Sequence, residues 1–287
     1  MNAGITAQRL PVISLEDVRF SYEGGIEALK GVSLRIAWGE NLAVVGGNGS
    51  GKTTLAKHLN GLLRPSSGKV LIGGEDSRGT SVATLSRTVG YVFQNPDYQL
   101  FCTSVEEEVR FGPKNMGLGH DDETSLAERA MKMMGISHLR EQSPVSLSLG
   151  NRRKVAIASV LATSPRVLLL DEPTTGLDSV ESAQLMATLA VLRSEGMAVV
   201  LITHDMRLVA QHMDRVIVMS EGSVALDTSV EDAFSDPDRL SRCKLLAPPI
   251  TVLAQRLQAQ GVLQEGAATP PQLVEQLVRV IGVSGNG

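Results

Sequence analysis

Short apolar runs of strand length recur along the chain, at residues 12–18, 32–36, 41–45, 69–72, 89–93, 167–170, 199–202 and 216–219. Between several of them the apolar positions fall at helical spacing, over 53–63, 125–134, 152–163, 180–194 and 206–213. Strands that are apolar throughout and alternate with helices predict an α/β fold whose main sheet is covered on both faces. The stretch 12–36 holds two strands with no helix between them, which predicts an antiparallel layer beside that sheet.

From Pro237 the pattern changes. Pro248 and Pro249 open one helical segment, and Thr269, Pro270 and Pro271 open another. In the second, Thr269 suits the N-cap and Pro270 the first helical position, while Leu273, Leu277 and Ile281 with Val274 and Val278 make one apolar stripe. A small C-terminal module is expected, which either covers its own core or receives a partner. No internal repeat or low-complexity tract is present.

The chain has 287 residues and is 43% hydrophobic, enough for a sizeable core and inconsistent with a disordered linker. No apolar run approaches the roughly 18 residues of a membrane span. With 27 Lys and Arg against 31 Asp and Glu, the net charge is −4, so no global basic field marks a nucleic-acid binder. Cys102 and Cys243 are too few and too far apart to suggest a metal site or a disulfide framework. The opening residues lack an apolar core and an export-type cleavage site, so no signal peptide is expected and the protein reads as soluble and cytoplasmic.

The strand 41–45 runs directly into Gly46, Gly47, Asn48, Gly49, Ser50, Gly51, Lys52, Thr53 and Thr54, and a helical stretch follows. This is G-x-x-x-x-G-K-[ST] in the strand-to-helix setting that the chemistry requires. Glycines let backbone N–H groups close around phosphate oxygens, and the helix start adds its positive dipole end. Lys52 is expected to reach the β and γ phosphates and the Thr53 hydroxyl to hold Mg²⁺. A dinucleotide fingerprint fails on the same glycines, because Lys52 stands where a third glycine is needed.

The strand 167–170 delivers Asp171 and Glu172 to its C-terminal end, where ligands of α/β sheets sit. Beside a phosphate loop, Asp171 is expected to hold Mg²⁺ and Glu172 to take a proton from the water that attacks the γ-phosphate.

With these two motifs the chain resembles the nucleotide-binding subunits of ATP-binding cassette (ABC) transporters, over nearly everything from residue 12 to about 227. Tyr22 matches the aromatic residue that stacks on adenine, and Gln94 the Q-loop glutamine that contacts Mg²⁺ or the attacking water and senses the membrane partner. Leu147, Ser148, Leu149, Gly150 and Asn151 occupy the signature position, Gly176, Leu177 and Asp178 the D-loop, and His204 the switch histidine. The resemblance implies a P-loop NTPase sheet with an antiparallel β layer, a helical subdomain at about 96–160 and an ATPase domain over 12–227. A C-terminal module over 228–287 would help the ATPase subunits pair.

The signature departs from L-S-G-G-Q, with Leu149 for the first glycine and Asn151 for the glutamine. Ser148 and Gly150, which would face the γ-phosphate of ATP held by the opposite subunit, remain, so a weaker or asymmetric half-site is expected. Arg152, Arg153 and Lys154 lie in the first turn of the next helix, where the dipole disfavours cations. A bound anion would relieve that conflict, and a solvated basic turn is the plainer alternative.

Two longer strings, Gln94 through Phe101 and Val105 through Pro113, look like the energy-coupling factor (ECF) importers of vitamins and transition-metal ions, including the cobalt type. The implied partners are a second ATPase subunit, identical or related, an integral membrane coupling subunit and a substrate-binding membrane subunit, with the chain peripheral on the cytoplasmic face of the cell membrane. Other ABC transport systems and DNA-repair ABC ATPases are the alternatives. The second kind carries a long coiled coil between phosphate loop and signature, and no heptad run stands there. Of only nine aromatic residues, Tyr91, Phe93, Tyr98, Phe101 and Phe111 cluster in and just after the Q-loop. Tyr91 and Phe93 are expected in the core, and the other three where the family docks a coupling helix.

Overall fold

In the computed structural model, residues 11–284 are described except 236, 244, 265 and 268, with backbone alone at 237–239 and 281–284. The opening ten residues and the side chain of Ile281 lie outside the described set. Among the described residues there are ten strands: β1 (Pro11–Ser21), β2 (Glu27–Ala37), β3 (Asn41–Gly46), β4 (Ser67–Ile72), β5 (Glu75–Asp76), β6 (Val89–Val92), β7 (Val167–Asp171), β8 (Ala198–Ile202), β9 (Arg215–Ser220) and β10 (Ser223–Ser229). The helices are α1 (Lys52–Leu59), α2 (Val82–Leu85), α3 (Val105–Asn115), α4 (His120–Met133), α5 (Leu149–Leu161), α6 (Ser179–Ser194), α7 (Met206–His212), α8 (Val230–Ser235), α9 (Pro237–Arg242), α10 (Pro249–Ala259) and α11 (Pro270–Ser284).

Two compact units share these elements, one built from residues up to Asn41 with Thr53–Ile202, the other from Leu42–Lys52 with the residues from Thr203 on. In the first, β2, β1, β4 and β5 form the expected antiparallel layer, with Val18 opposite Val32 and Leu15 opposite Val70. The parallel strands β6, β7 and β8 lie side by side in the same unit, Tyr91 opposite Leu169 and Leu169 opposite Val200. Each is buried along its whole length, which is why its sequence is apolar without alternation.

Helices α3, α4 and α5 pack on one another within this unit. Ser104 caps α3, its hydroxyl accepting from the Glu107 N–H, and the acidic first turn suits the positive helix end. The close approach of α3 and α5 needs Gly112, where a Cβ would lie 2.5 Å from Thr163 Cγ2.

In the second unit, β3 pairs parallel with β9 (Val44 opposite Ile217) and β9 antiparallel with β10 (Val218 opposite Leu226). At its C-terminal end, Ala254, Leu263, Ala267 and Leu273 form a core joined by Ile250, Leu257 and Leu277. Thr269 and Gln272 cap α11 reciprocally, each backbone N–H held by the other's side chain, as the Thr-Pro start predicts. The expected single stripe is split, since Leu273 and Leu277 face that core while Val274 and Val278 are exposed.

Candidate nucleotide site

The phosphate loop begins where β3 stops at Gly46, a position only glycine can occupy. A Cβ there would stand 2.3 Å from the Met219 carbonyl oxygen and 2.7 Å from Ser50 Oγ. Beyond it the loop turns on itself, with the Ser50 N–H donating to the Gly47 carbonyl and the Gly222 N–H to the Ser50 carbonyl. Lys52 folds back over the turn, its ammonium donating to the carbonyls of Gly46 and Gly47 at 2.9 Å each. Nothing lies within 4 Å of a Cβ built at Gly47 or Gly49, so the loop keeps open space on that side. Ser50 Oγ is buried without a hydrogen-bond partner, which fits a loop whose polar groups await an anion.

At the helix that follows, Thr53 is exposed and Thr54 buried. Thr54 Oγ1 and the Tyr22 hydroxyl share a 3.1 Å hydrogen bond, so the half-exposed Tyr22 ring is fixed beside the start of α1. Phe20 meets Tyr22 edge-on at 4.9 Å and His58 at the same distance. His58 is fully buried and donates from Nδ1 to the Thr54 carbonyl at 2.8 Å; burial pushes its pKa below the usual 6.5.

Strand β7 ends on Asp171, whose buried Oδ2 accepts a 3.1 Å hydrogen bond from the Tyr91 hydroxyl. Burial, with the Asp171 charge beside it, drives the Tyr91 phenol far above its ordinary pKa. Glu172 adopts a left-handed backbone, φ +48°, which an ordinary L residue enters only at a cost of about 1–3 kcal/mol. Two hydrogen bonds hold it there. Its N–H donates to the Ile202 carbonyl at 2.9 Å, and its own carbonyl accepts from Arg153 Nη1 at 2.8 Å. The other guanidinium nitrogen of Arg153 donates to the Gln94 carbonyl, also at 2.8 Å. Arg153 is 2% exposed, and burial lowers its pKa against the opposing pull of the Glu172 and Asp171 charges.

One buried cation thus brings Gln94, Asp171 and Glu172 into one neighbourhood. Thr53, Asp171 and Gln94 offer only oxygen donors, the set a hard divalent cation takes, with Asp171 already oriented by Tyr91. Among the described residues there is no cluster of His, Cys, Asp and Glu of the kind that suits zinc or another soft metal.

In the second unit, the Thr203 N–H donates to the Val44 carbonyl and its hydroxyl accepts from the Asp205 N–H. Asp205 caps α7, leaving His204 exposed between two anchored neighbours.

Ser148 is the N-cap of α5, its hydroxyl accepting from the Asn151 N–H. Gly150 is buried, and a Cβ there would press within 3.2 Å of Glu181 Oε2. Leu149 lies against Gly176, where an added Cβ would stand 2.7 Å from its Cδ2, so signature and D-loop are in contact within one chain. Asp178 and Glu181 close a capping box at the start of α6. The basic turn finds its counter-charges internally: Arg152 pairs with Asp97 at 2.5 Å, Arg153 holds the two carbonyls, and Lys154 pairs with Glu181 at 2.7 Å. The dipole conflict is relieved without a bound anion. Arg153 thus joins the candidate site although the sequence pattern reads it as part of an anion site, and Tyr91, in the core as expected, reaches Asp171 from there.

Beyond the Q-loop, Phe101 and Phe111 meet edge-on at 4.7 Å and both are exposed, as is Tyr98 at 81%. Glu108, itself buried, accepts from the N–H groups of Phe101 and Cys102 at 2.8 Å each and fixes that loop. A cavity of about 720 Å³ opens beside it, lined by Leu62, Val82, Phe93, Phe111 and Met116.

The family model for ABC transporters matches residues 29–175. The chain is 42% identical over 259 residues to the energy-coupling factor transporter ATP-binding protein EcfA of Methanoculleus marisnigri, covering 90% of this chain and 94% of the relative. It is 44% identical over 252 residues to a putative ABC transporter ATP-binding protein of Methanosarcina acetivorans, covering 88% of this chain but only 41% of the relative. The chain thus spans less than half the length of some curated relatives. Among solved structures it is similar to cbiO1 from Clostridium perfringens, part of the ABC transporter complex cbiONQ, at 35% identity and a TM-score of 0.73 over 88% of this chain and 98% of that one.

Proposed function

The chain belongs to the ABC transporter ATP-binding family, and from that premise we propose that it is the ATP-hydrolysing subunit of an ECF-type importer for a vitamin or transition-metal ion. The observation that carries the chemistry is Glu172, held in a left-handed conformation by Ile202 and Arg153 directly after the buried Asp171. A carboxylate carried on a backbone fixed at that point suits a base for water.

In this reading Gly46 through Thr54 hold the phosphates of ATP, and Tyr22 stacks on the adenine. Thr53, Asp171 and Gln94 would hold Mg²⁺, which would supply charge neutralisation for the phosphates. Glu172 accepts the proton of the attacking water at its carboxylate, and His204 holds the γ-phosphate. Ser148, Gly150 and Asp178 face the nucleotide of a second ATPase subunit, so two chains close around two ATP molecules and reopen once phosphate leaves. Closure passes to the integral coupling subunit through the exposed aromatics after Gln94, and a membrane subunit selects the substrate. The chain then sits peripherally on the cytoplasmic face. Among the described residues no helix is long and apolar enough to cross a membrane, which agrees with that role.

The test is to isolate the chain from solubilised membranes and identify what accompanies it. An integral coupling subunit and a small substrate-binding membrane protein are expected; recovery with DNA and no membrane protein would overturn the assignment.

A further inference from the structure

Arg153 stands on α5, five residues after Ser148, yet its guanidinium reaches two other segments of the same unit, the turn after β6 at Gln94 and the end of β7 at Glu172. Both acceptors are backbone carbonyls, so Arg153 fixes the main chains of Gln94 and Glu172 rather than pairing with their side chains. The cost of burying this cation is substantial, since it is almost wholly desolvated and its Nε has no hydrogen-bond partner. Neighbouring Arg152 and Lys154 on the same turn instead make carboxylate pairs nearer the surface. A buried Arg aimed at two carbonyls serves geometry that a surface pair would not.

We propose that Arg153 is a positioning residue that clamps the Q-loop and the base-bearing strand end to the signature helix. It sets the left-handed conformation of Glu172 and makes Gln94 and Glu172 respond together to any displacement of α5. The inference rests on Glu172 being the base, and the clamp can be examined apart from that reading. Without Arg153 the Glu172 carbonyl is released, and the residue can leave its strained conformation and carry its carboxylate off the line of attack.

The experiment uses the full chain with its partner subunits, as Arg153→Met and Arg153→Lys. Arg153→Met is expected to lower kcat about tenfold or more with the KM for ATP within about twofold, the signature of lost transition-state geometry rather than lost binding. Arg153→Lys, which keeps the charge but can reach one carbonyl, should fall between. In a Glu172→Gln background, single-turnover hydrolysis should drop by less than about twofold on adding Arg153→Met, because residues acting as a unit are not additive. Losses that multiply, or a rise in KM with kcat unchanged, would overturn the clamp. Backbone hydrogen exchange of Arg153→Lys decides the matter should the Met variant fail to fold. Faster exchange is expected in at least one of the segments containing Gln94 and Glu172, the one whose carbonyl the lysine gives up, and wild-type exchange in both refutes the proposal. Wild-type turnover by Glu172→Gln alone would defeat the base assignment, and the exchange result would still judge the clamp.

Discussion

The Tyr91 hydroxyl donates to Asp171 across two adjacent parallel strands, a 3.1 Å bond between groups both sealed from water. Its phenol is held protonated far above the ordinary tyrosine range, so this bond does not titrate from the Tyr91 side. Tyr91→Phe removes the donor that orients a carboxylate assigned to Mg²⁺. The Mg²⁺ concentration giving half-maximal ATPase is expected to rise about tenfold or more, in line with lost outer-shell support. Stability should drop by about 1–3 kcal/mol, read as a lower Tm without nucleotide.

Gly46 and Gly47 are neighbours with opposite tolerance. At Gly46 an added methyl collides with the Met219 carbonyl, and at Gly47 it meets nothing. In the absence of nucleotide, Gly46→Ala should lose about 1–3 kcal/mol, while Gly47→Ala should melt within about 0.5 kcal/mol of wild type. Thermal melts of the two variants side by side decide this.

His58 ties acid stability to the nucleotide helix. Burial lowers its pKa, so the unfolded chain, whose histidine titrates near 6.5, takes up the proton first. Its contribution is therefore complete above pH 6.5 and lost as pH falls from there toward the folded value, and His212, lowered by burial in the same way, adds to the loss. His58→Leu should flatten the fall in stability below pH 6.5 by up to about 1.4 kcal/mol per pH unit, one proton's worth. An acid slope identical to wild type would remove His58 from the account.

Much of this architecture is legible in the sequence because burial and periodicity agree. Strands β3, β7 and β8 are largely apolar runs, and α6 shows its helical spacing, though its Asp178 cap appears only in the structure. Helix α3 is hidden because Glu106, Glu107 and Glu108 read as a polar stretch and Gly112 with Pro113 as a break. Ser104 and the helix dipole favour those acids, and the proline in the last turn forfeits one helical bond, its own, with little helix left beyond it to break. Strand β10 escapes because only Leu226 along it is buried. The basic turn at 152–154 is visible as a conflict with the dipole, but its resolution lies 19 and 59 residues away, at Glu172 and Gln94, where no local pattern points. Nor does a glutamate announce a left-handed backbone, which here goes with bonds to Ile202 and Arg153, both remote in sequence.

The C-terminal helix α11 keeps Val274 and Val278 exposed on successive turns while its other apolar face serves the module's own core. This suits the proposed pairing role of 228–287. Converting both to Asp should shift sedimentation of the full chain toward smaller species while Tm stays within about 2 °C, as for exposed positions generally. An unchanged sedimentation profile would assign the module to packing alone.

Steady-state hydrolysis by Glu172→Gln tests the central claim most directly, because the amide keeps the shape of the side chain and removes its basicity. ATP affinity is expected to match wild type while kcat falls by about 10²–10⁴-fold, the contribution of a positioned base. Wild-type turnover in that variant would contradict the assignment of Glu172 and the mechanism built on it.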